Sequence, residues 1–189
     1  MNAEDTPARS PWRRTLVWVE RLVTAGLLVF VVVRLGPQLG ALTGIGPDLG
    51  RAPEYAFTAL DGTEVRSSEL RGQVVVLNFW ATWCGPCRLE MPSLQALHED
   101  KHAEGVVVLG LSTDVGGGSA VAEFLDEHDI TYPVGRATQE HRQAFGGIPG
   151  IPTTFVIDRD ATVRHKVVGY FAPPAMRAAV NRLLDDAAP

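Results

Sequence analysis

Two cysteines that stand two residues apart follow closely on a run of apolar residues, and few folds accommodate this order. The run, Val74–Trp80, is typical of a buried β-strand, and the residues after Cys87 have the apolar spacing of a helix. A helix that begins at Cys84 stabilises a thiolate there through its dipole and its free N–H groups. Gly85 and Pro86 suit that first turn. The pattern therefore predicts a dithiol–disulfide redox centre.

Two other roles for such a cysteine pair fit less well. A zinc site needs two further ligands at suitable spacing, and the chain has only these two cysteines and no second C-x-x-C. A structural disulfide across two residues closes a loop that is too short to stabilise the fold much. The redox role is therefore favoured.

A second pattern with a known chemistry lies between His98 and His102, which form a literal H-E-x-x-H. In metalloproteases both histidines of this pattern bind zinc. The extended pattern requires a third histidine where this chain has Val108. The segment is also charged on nearly every face, and Gly105 is typical of a helix stop. We therefore expect a solvated helix end here and no metal site.

The charge distribution argues against a nucleic-acid partner. The 189-residue chain has a formal net charge of −5. Residues 51–189 carry 12 basic and 18 acidic side chains, without a cluster of Lys or Arg. Such a surface is not the basic face that nucleic acids require. Proteins or small thiols are the expected partners.

An apolar stretch near the N-terminus predicts a membrane anchor. Taken as residues 15–35, it reaches the roughly 20 residues that span a membrane, and its charges lie near its ends. The arginines before it predict a cytoplasmic N-terminus at residues 1–14 and a main domain outside the cell. A cleaved export signal is the alternative, and it leaves the cysteines on the same side. Residues 36–53 are interpreted as a linker and residues 54–189 as the domain.

The main domain alternates predicted strands and helices. Asp61 and Gly62 between two short apolar runs predict a hairpin. Strands are expected at 54–60, 63–65, 74–80, 106–112, 132–135, 153–158 and 163–169, and helices at 86–102, 119–128, 138–145 and 173–186. This alternation predicts an α/β fold with a mixed sheet and helices on both of its faces.

Two stretches of the domain resemble a known family. Residues Asn78–Pro92, N-F-W-A-T-W-C-G-P-C-R-L-E-M-P, resemble the active-site stretch of membrane-anchored thioredoxin-like proteins of the TlpA/ResA type. Residues Gly150–Asp158, G-I-P-T-T-F-V-I-D, resemble the second signature of that family. The resemblance covers residues 51–186. It implies a thioredoxin fold and thiol–disulfide exchange outside the cytoplasm.

The resemblance also implies roles for single residues. Cys84 matches the attacking, solvent-facing thiol, and Cys87 matches the buried resolving thiol. Pro152 matches a cis-proline that faces the dithiol and exposes the backbone of Ile151 to an incoming cysteine peptide. The expected substrate-binding residues are Trp83, Gly85, Pro86, Ile151 and Pro152.

Glu90 matches an acidic residue of the same family. It lies three residues past Cys87, which places both on one helix face. Burial would raise the pKa of Glu90 towards the range of a proton shuttle. We therefore expect Glu90 to manage the proton of Cys87. Ordinary thioredoxins place a buried acid in the preceding strand, where this chain has Asn78.

The expected function is reduction of disulfides in extracytoplasmic proteins. The resemblance implies cytochrome c apoproteins or metal-site cysteines as partners, and a membrane electron donor that restores the dithiol. No cofactor besides the Cys84–Cys87 disulfide is expected. Two alternatives stay open. One is a copper chaperone, although such proteins usually separate the cysteines by three residues and add a histidine. The other is a weak thiol peroxidase, although the proline of the peroxiredoxin pattern is missing.

Overall fold

The computed structural model describes residues 11–43, 49–116 and 118–186. It divides the chain into two units, Met1–Gly36 and Pro37–Pro189. Parts of the predicted N-terminal segment at 1–14 and of the predicted linker at 36–53 lie outside the described residues, as do the last three residues of the domain. The predicted domain boundaries therefore stay predictions.

The first helix, α1 (Pro11–Thr43), contains the segment that the sequence predicts to be a membrane anchor. From Trp18 to Val33 every side chain is exposed, and most of them are apolar. Within the described residues, no helix combines the length and the apolar character that crossing a membrane requires. The anchor at residues 15–35 stays a prediction.

Within the part of the chain that the structure describes, the second unit contains seven strands. They are β1 (Ala56–Thr58), β2 (Glu64–Arg66), β3 (Val74–Trp80), β4 (Val106–Ser112), β5 (Val134–Arg136), β6 (Thr153–Ile157) and β7 (Val163–Val168). The first two form the antiparallel hairpin that Asp61 and Gly62 predict. The other five form one sheet in the order β5–β4–β3–β6–β7. Strand β3 is parallel to β4 and antiparallel to β6, so the sheet is mixed, as predicted.

Among the described residues of this unit, four helices accompany the sheet. They are α2 (Gly85–Lys101), α3 (Gly118–Glu127), α4 (Gln139–Ala144) and α5 (Pro173–Asp185), with short 3₁₀ turns at Ser67–Leu70 and His102–Glu104. Apolar side chains of α2, α3 and α5 share one hydrophobic cluster, which also contains both cysteines. The hairpin and Phe145, at the end of α4, contribute to a second cluster. The predicted mixed sheet flanked by helices is confirmed.

Strand β3 lies between the two clusters and is buried along its whole length. Alternate side chains point to opposite faces of a strand, so Val76 and Trp80 belong to the first cluster, and Leu77 and Phe79 to the second. This two-sided burial explains why the sequence of β3 is almost continuously apolar. Asn78 occupies the same face as Val76 and Trp80, which is the face of the cysteines.

Gly110 allows a close approach on this face of the sheet. It lies in β4 and pairs with Asn78 of β3. A Cβ atom at position 110 would lie 2.9 Å from Cγ2 of Val134, 3.1 Å from Nε1 of Trp80 and 3.3 Å from Cε2 of Tyr132. The backbone of β4 therefore leaves no room for a methyl group.

We predict that Gly110→Ala destabilises the protein by about 1–3 kcal/mol, because its methyl group overpacks the space between Val134, Trp80 and Tyr132. Denaturant unfolding of the oxidised protein measures this. Gly150→Ala is the matched control, since the nearest atom to its Cβ would be Cγ1 of Val168 at 4.0 Å, an ordinary contact. Equal stabilities of the two variants would contradict the prediction.

Candidate active site

The two cysteines form a disulfide at the start of α2. The S–S bond is 2.04 Å long and the Cα atoms are 5.2 Å apart. Cys84 is the N-cap of the helix, and its Sγ accepts a hydrogen bond of 3.2 Å from the backbone N–H of Cys87. The sequence expectation that the first cysteine begins the helix is confirmed. In the disulfide Cys84 is only 5% exposed and Cys87 1%, so Cys84 is less open to solvent than the resemblance implies.

The local sequence explains why the helix begins here. The backbone N–H of Cys84 donates to the carbonyl of Ala81 at 3.1 Å, which closes a turn directly after β3. Gly85 is the first helical residue, and Pro86 lies in the first turn, where its missing N–H costs nothing. A reduced Cys84 at this N-cap receives the N–H of Cys87 and the positive end of the helix dipole, and both stabilise a thiolate.

Glu90 lies on the same helix and is fully buried. Its Oε1 accepts hydrogen bonds from Oγ1 of Thr154 at 2.7 Å and from Nδ2 of Asn78 at 3.3 Å. Its Oε2 accepts a hydrogen bond of 2.8 Å from the backbone N–H of Phe171. The carboxyl group thus joins α2 to β3, to β6 and to the loop before α5.

The electrostatic state of Glu90 follows from two opposing effects. Burial disfavours the charged carboxylate and raises the pKa of Glu90 from 4.5 to about 7. The hydrogen bonds from Phe171 and Thr154 favour the carboxylate and partly offset that rise. At neutral pH the group is therefore poised between its two protonation states, as a proton shuttle requires.

Asn78 acts as a hydrogen-bond donor at the position where ordinary thioredoxins have a buried acid. Its Nδ2 donates both to Glu90 and to Oγ1 of Thr154, the latter at 2.9 Å. An amide at this place supports the neighbouring carboxyl group, whereas a second carboxylate would repel it. The acid of this site is thus held on α2 and positioned by β3.

The Ile151–Pro152 segment lies at the same end of the strands as the loop that carries Cys84. The last pair between the antiparallel strands β3 and β6 joins Phe79 to Thr153. Pro152 therefore lies where β3 ends and the loop to Cys84 begins. The Ile151–Pro152 peptide bond is cis, as the resemblance implies. Ile151 packs against the hydrophobic cluster that contains both cysteines.

The other expected substrate-binding residues lie on the surface beside Cys84. Trp83 is 71% exposed, a large value for a tryptophan, and Gly85 and Pro86 are also exposed. An exposed aromatic ring next to a reactive sulfur offers apolar contact to an incoming peptide. These three residues have the accessibility that their predicted role requires, and the role itself stays a prediction.

The sequence alone does not predict two of the hydrogen-bond donors to Glu90. Thr154 and Phe171 are distant from Glu90 in the chain and belong to no catalytic pattern. The available signal for Thr154 is its place within the second stretch that resembles the family. Phe171 binds through its backbone N–H, which no side-chain pattern can reveal.

The H-E-x-x-H histidines lie away from the disulfide, at the far end of α2. The rings of His98 and His102 are 5.3 Å apart, and burial lowers the pKa of His98. Among the residues that the structure describes, no group of three or more His, Cys, Asp or Glu side chains has the arrangement of a metal site.

Fold and site together define a protein that exchanges disulfides through a dithiol at a helix N-terminus, and comparisons with known proteins agree. The model of the AhpC/TSA family matches residues 50–166. The thiol-disulfide oxidoreductase ResA of Bacillus thuringiensis (strain Al Hakam) is 34% identical over 120 residues, 62% of this chain and 68% of that protein. ResA of Oceanobacillus iheyensis is 30% identical over 164 residues, 85% of this chain and 83% of that protein.

Solved structures give the same result. A thioredoxin-family thiol:disulfide interchange protein from Chlorobium tepidum is 33% identical, with a TM-score of 0.67 over 71% of this chain and 96% of that chain. A secreted thiol-disulfide isomerase from Corynebacterium glutamicum is 28% identical, with a TM-score of 0.66 over 71% of this chain and 85% of that chain. The chain belongs to the AhpC/TSA family and, within it, to the ResA-like thiol–disulfide oxidoreductases of thioredoxin fold. The predicted thioredoxin fold and the predicted enzyme class are confirmed.

The pKa of Glu90 has a consequence for stability. In the unfolded chain Glu90 ionises near 4.5, whereas in the folded protein it ionises near 7. Between these values the folded protein holds a proton that the unfolded chain has lost, so stability decreases as pH rises through this window. We predict that wild type loses about 3 kcal/mol relative to Glu90→Gln between pH 4.5 and pH 8.

Denaturant unfolding of both oxidised proteins across this pH range measures the difference. The amide nitrogen of glutamine cannot accept a hydrogen bond from the N–H of Phe171. The variant therefore differs from wild type by an additional free energy of unfolding that does not depend on pH. The test is therefore the slope of the difference, and parallel stability profiles for wild type and variant would contradict the raised pKa.

Proposed function

We propose that this oxidoreductase acts as a reductase of disulfides in extracytoplasmic proteins, with the Cys84–Cys87 pair as its redox group and no other cofactor. The observation that carries the proposal is the N-cap position of Cys84, because it favours the thiolate that attacks a disulfide. Cytochrome c apoproteins and proteins with metal-site cysteines are the proposed partners. The resemblance to the TlpA/ResA type supports this choice of partners.

The first step is attack by the Cys84 thiolate on one sulfur of the partner's disulfide. A bond forms between Sγ of Cys84 and that sulfur, while the partner's own S–S bond breaks and its second sulfur leaves as a thiolate. Trp83 and the backbone at Ile151 hold the peptide beside Cys84. The product is a mixed disulfide between enzyme and partner.

The second step is resolution by Cys87. The Cys87 thiol gives its proton to the Glu90 carboxylate, which lies three residues along on the same helix face. The Cys87 thiolate then attacks Sγ of Cys84, the mixed disulfide breaks, and the partner's remaining sulfur leaves as a thiolate. Two electrons have passed from the enzyme's dithiol to the partner, and the enzyme is left in its disulfide form.

A membrane electron donor completes the cycle in this proposal. Its dithiol reduces the Cys84–Cys87 disulfide by the same exchange chemistry and becomes a disulfide itself. The proton on Glu90 returns to Cys87 as that thiol is regenerated. The pKa of Glu90, about 7, suits a group that takes up and releases a proton once in each cycle.

Cys87→Ser should accumulate mixed disulfides at Cys84 in cells that produce the full chain, because the sulfur that releases the partner is gone. A small dithiol releases the partners from the purified complexes, and mass spectrometry then identifies them. Cys84→Ser is the matched control, since the remaining Cys87 is the more deeply buried of the two cysteines. Equal trapping by the two variants would contradict the assignment of Cys84 as the attacking thiol. Recovery of cytoplasmic proteins alone would contradict the proposed partners.

Helix α1 is the anchor in this proposal, with the N-terminus in the cytoplasm and the redox domain outside. Support comes from the exposed and mostly apolar side chains between Trp18 and Val33, whose contact with water is unfavourable. The arginines that precede the apolar stretch in the sequence support the orientation. The main alternative is an export signal that is removed after translocation.

The proposed location predicts how the cysteines respond to a thiol reagent that cannot cross membranes. After mild reduction of intact cells that make the full chain, a charged maleimide should label the protein, and an alkaline wash should leave it in the membranes. A variant with both cysteines replaced by serine is the control for labelling. A shorter, washed-off product would instead indicate a cleaved signal, and labelling only after lysis would contradict an extracytoplasmic domain.

A further inference from the structure

A carboxylate outside the dithiol site is bound to the loop that carries Cys84. Oδ1 of Asp114 accepts a hydrogen bond of 2.6 Å from Oγ1 of Thr82, and its Oδ2 accepts one of 3.0 Å from the backbone N–H of Thr82. Oδ2 also accepts a hydrogen bond of 2.8 Å from Oγ of Ser112. The hydroxyl of Ser112 in turn accepts the backbone N–H of Asp114 at 3.1 Å. We call this set the Asp114 clamp.

The topology of the sheet explains why the clamp forms here. Strands β3 and β4 are parallel and adjacent, and their last pair joins Trp80 to Ser112. The residues that follow the two strands therefore leave the sheet side by side. The contact continues beyond the strands, because the backbone N–H and the hydroxyl of Thr113 both donate to the carbonyl of Trp80, at 2.8 and 3.0 Å.

Thr82, which the Asp114 clamp binds, lies two residues before Cys84, in the turn that positions this cysteine. That turn is closed by the hydrogen bond from the N–H of Cys84 to the carbonyl of Ala81. Thr82 lies inside the turn, and its backbone N–H ends on Asp114. The conformation of residues 81–84 is thus fixed from one side by the turn and from the other by the clamp.

We propose that Asp114 is a positioning residue for the exchange reaction: by binding Thr82 it holds Cys84 at the N-cap of α2 and so favours the Cys84 thiolate. The proposal rests on the dithiol chemistry of Cys84, and it assigns no contact between Asp114 and the partner protein. Without the clamp, the turn samples conformations in which Sγ of Cys84 no longer receives the N–H of Cys87.

Removal of the Asp114 charge and loss of the Asp114 clamp should change the acidity of the Cys84 thiol in opposite directions, which makes the proposal testable. A carboxylate near a sulfur repels a thiolate, so removal of its charge should favour the thiolate. Loss of the clamp should disfavour the thiolate, because the N-cap contact and the alignment with the helix dipole are lost. The direction of the change in acidity of the reduced Cys84 thiol therefore separates positioning from charge.

The sharpest variants leave Asp114 in place and change its donor. Thr82→Val keeps the shape of the side chain but removes the hydroxyl, and Thr82→Ser keeps the hydroxyl and serves as the conservative rescue. Asp114→Ala removes the whole clamp. Asp126→Ala, at an exposed site on α3, controls for the loss of a surface carboxylate.

The measurements are made on the reduced full chain. Thiolate absorbance against pH, together with the rate of alkylation, gives the acid dissociation constant of Cys84. We expect Thr82→Val to lower this constant about threefold, as loss of one hydrogen bond would, and Asp114→Ala to lower it about tenfold. Thr82→Ser and Asp126→Ala should stay within about twofold of wild type.

The equilibrium with glutathione is a second readout, because a merely structural role would not shift it. A less stable thiolate favours the disulfide, so Thr82→Val and Asp114→Ala should be oxidised at a lower ratio of oxidised to reduced glutathione than wild type. An unchanged or raised acid dissociation constant in Thr82→Val would overturn the proposal. If Asp114→Ala does not fold, the Thr82→Val and Thr82→Ser pair decides alone. Trapping by Cys87→Ser tests the proposed function separately.

Discussion

The hydrogen bond from the N–H of Cys87 to Sγ of Cys84 is the contact on which the function of this protein depends. It exists because β3 ends at Trp80, the chain turns within four residues, and α2 begins at Gly85. The turn makes Cys84 the N-cap of α2 and places Cys87 in its first turn. A cysteine beyond the first turn of the helix would lack both the free N–H and the positive end of the dipole.

In the proposed cycle the first sulfur reacts as a thiolate, and the second gives its proton to Glu90. Burial of Glu90 lowers the stability of the folded protein at pH values above the ordinary pKa of this group. Three hydrogen-bond donors, from β3, β6 and the loop before α5, bind the buried carboxyl group. Such a group can take up and hold a proton inside the fold at neutral pH, whereas an exposed carboxylate, with its lower pKa, is too weak a base to hold one. In the proposed cycle this cost in stability is therefore linked to catalysis.

The sequence predicts the central elements well because their patterns are local. The bounds of β3 and β4 follow directly from two continuous apolar runs, and α2 follows from its glycine, proline and apolar spacing. The partners of Glu90 and the Asp114 clamp are different, because they join segments that only the sheet brings together. A polar group, Ser112 to Asp114, at the end of a buried parallel strand was the available signal for the clamp.

A redox titration of the full chain against mixtures of reduced and oxidised glutathione at pH 7 tests directly whether the Cys84–Cys87 pair is a redox group. We predict one reversible two-electron transition of the pair, in which a tenfold change in the equilibrium ratio corresponds to about 30 mV. A disulfide that stays oxidised across the biological range of potentials, or one that cannot be restored after reduction, would contradict it.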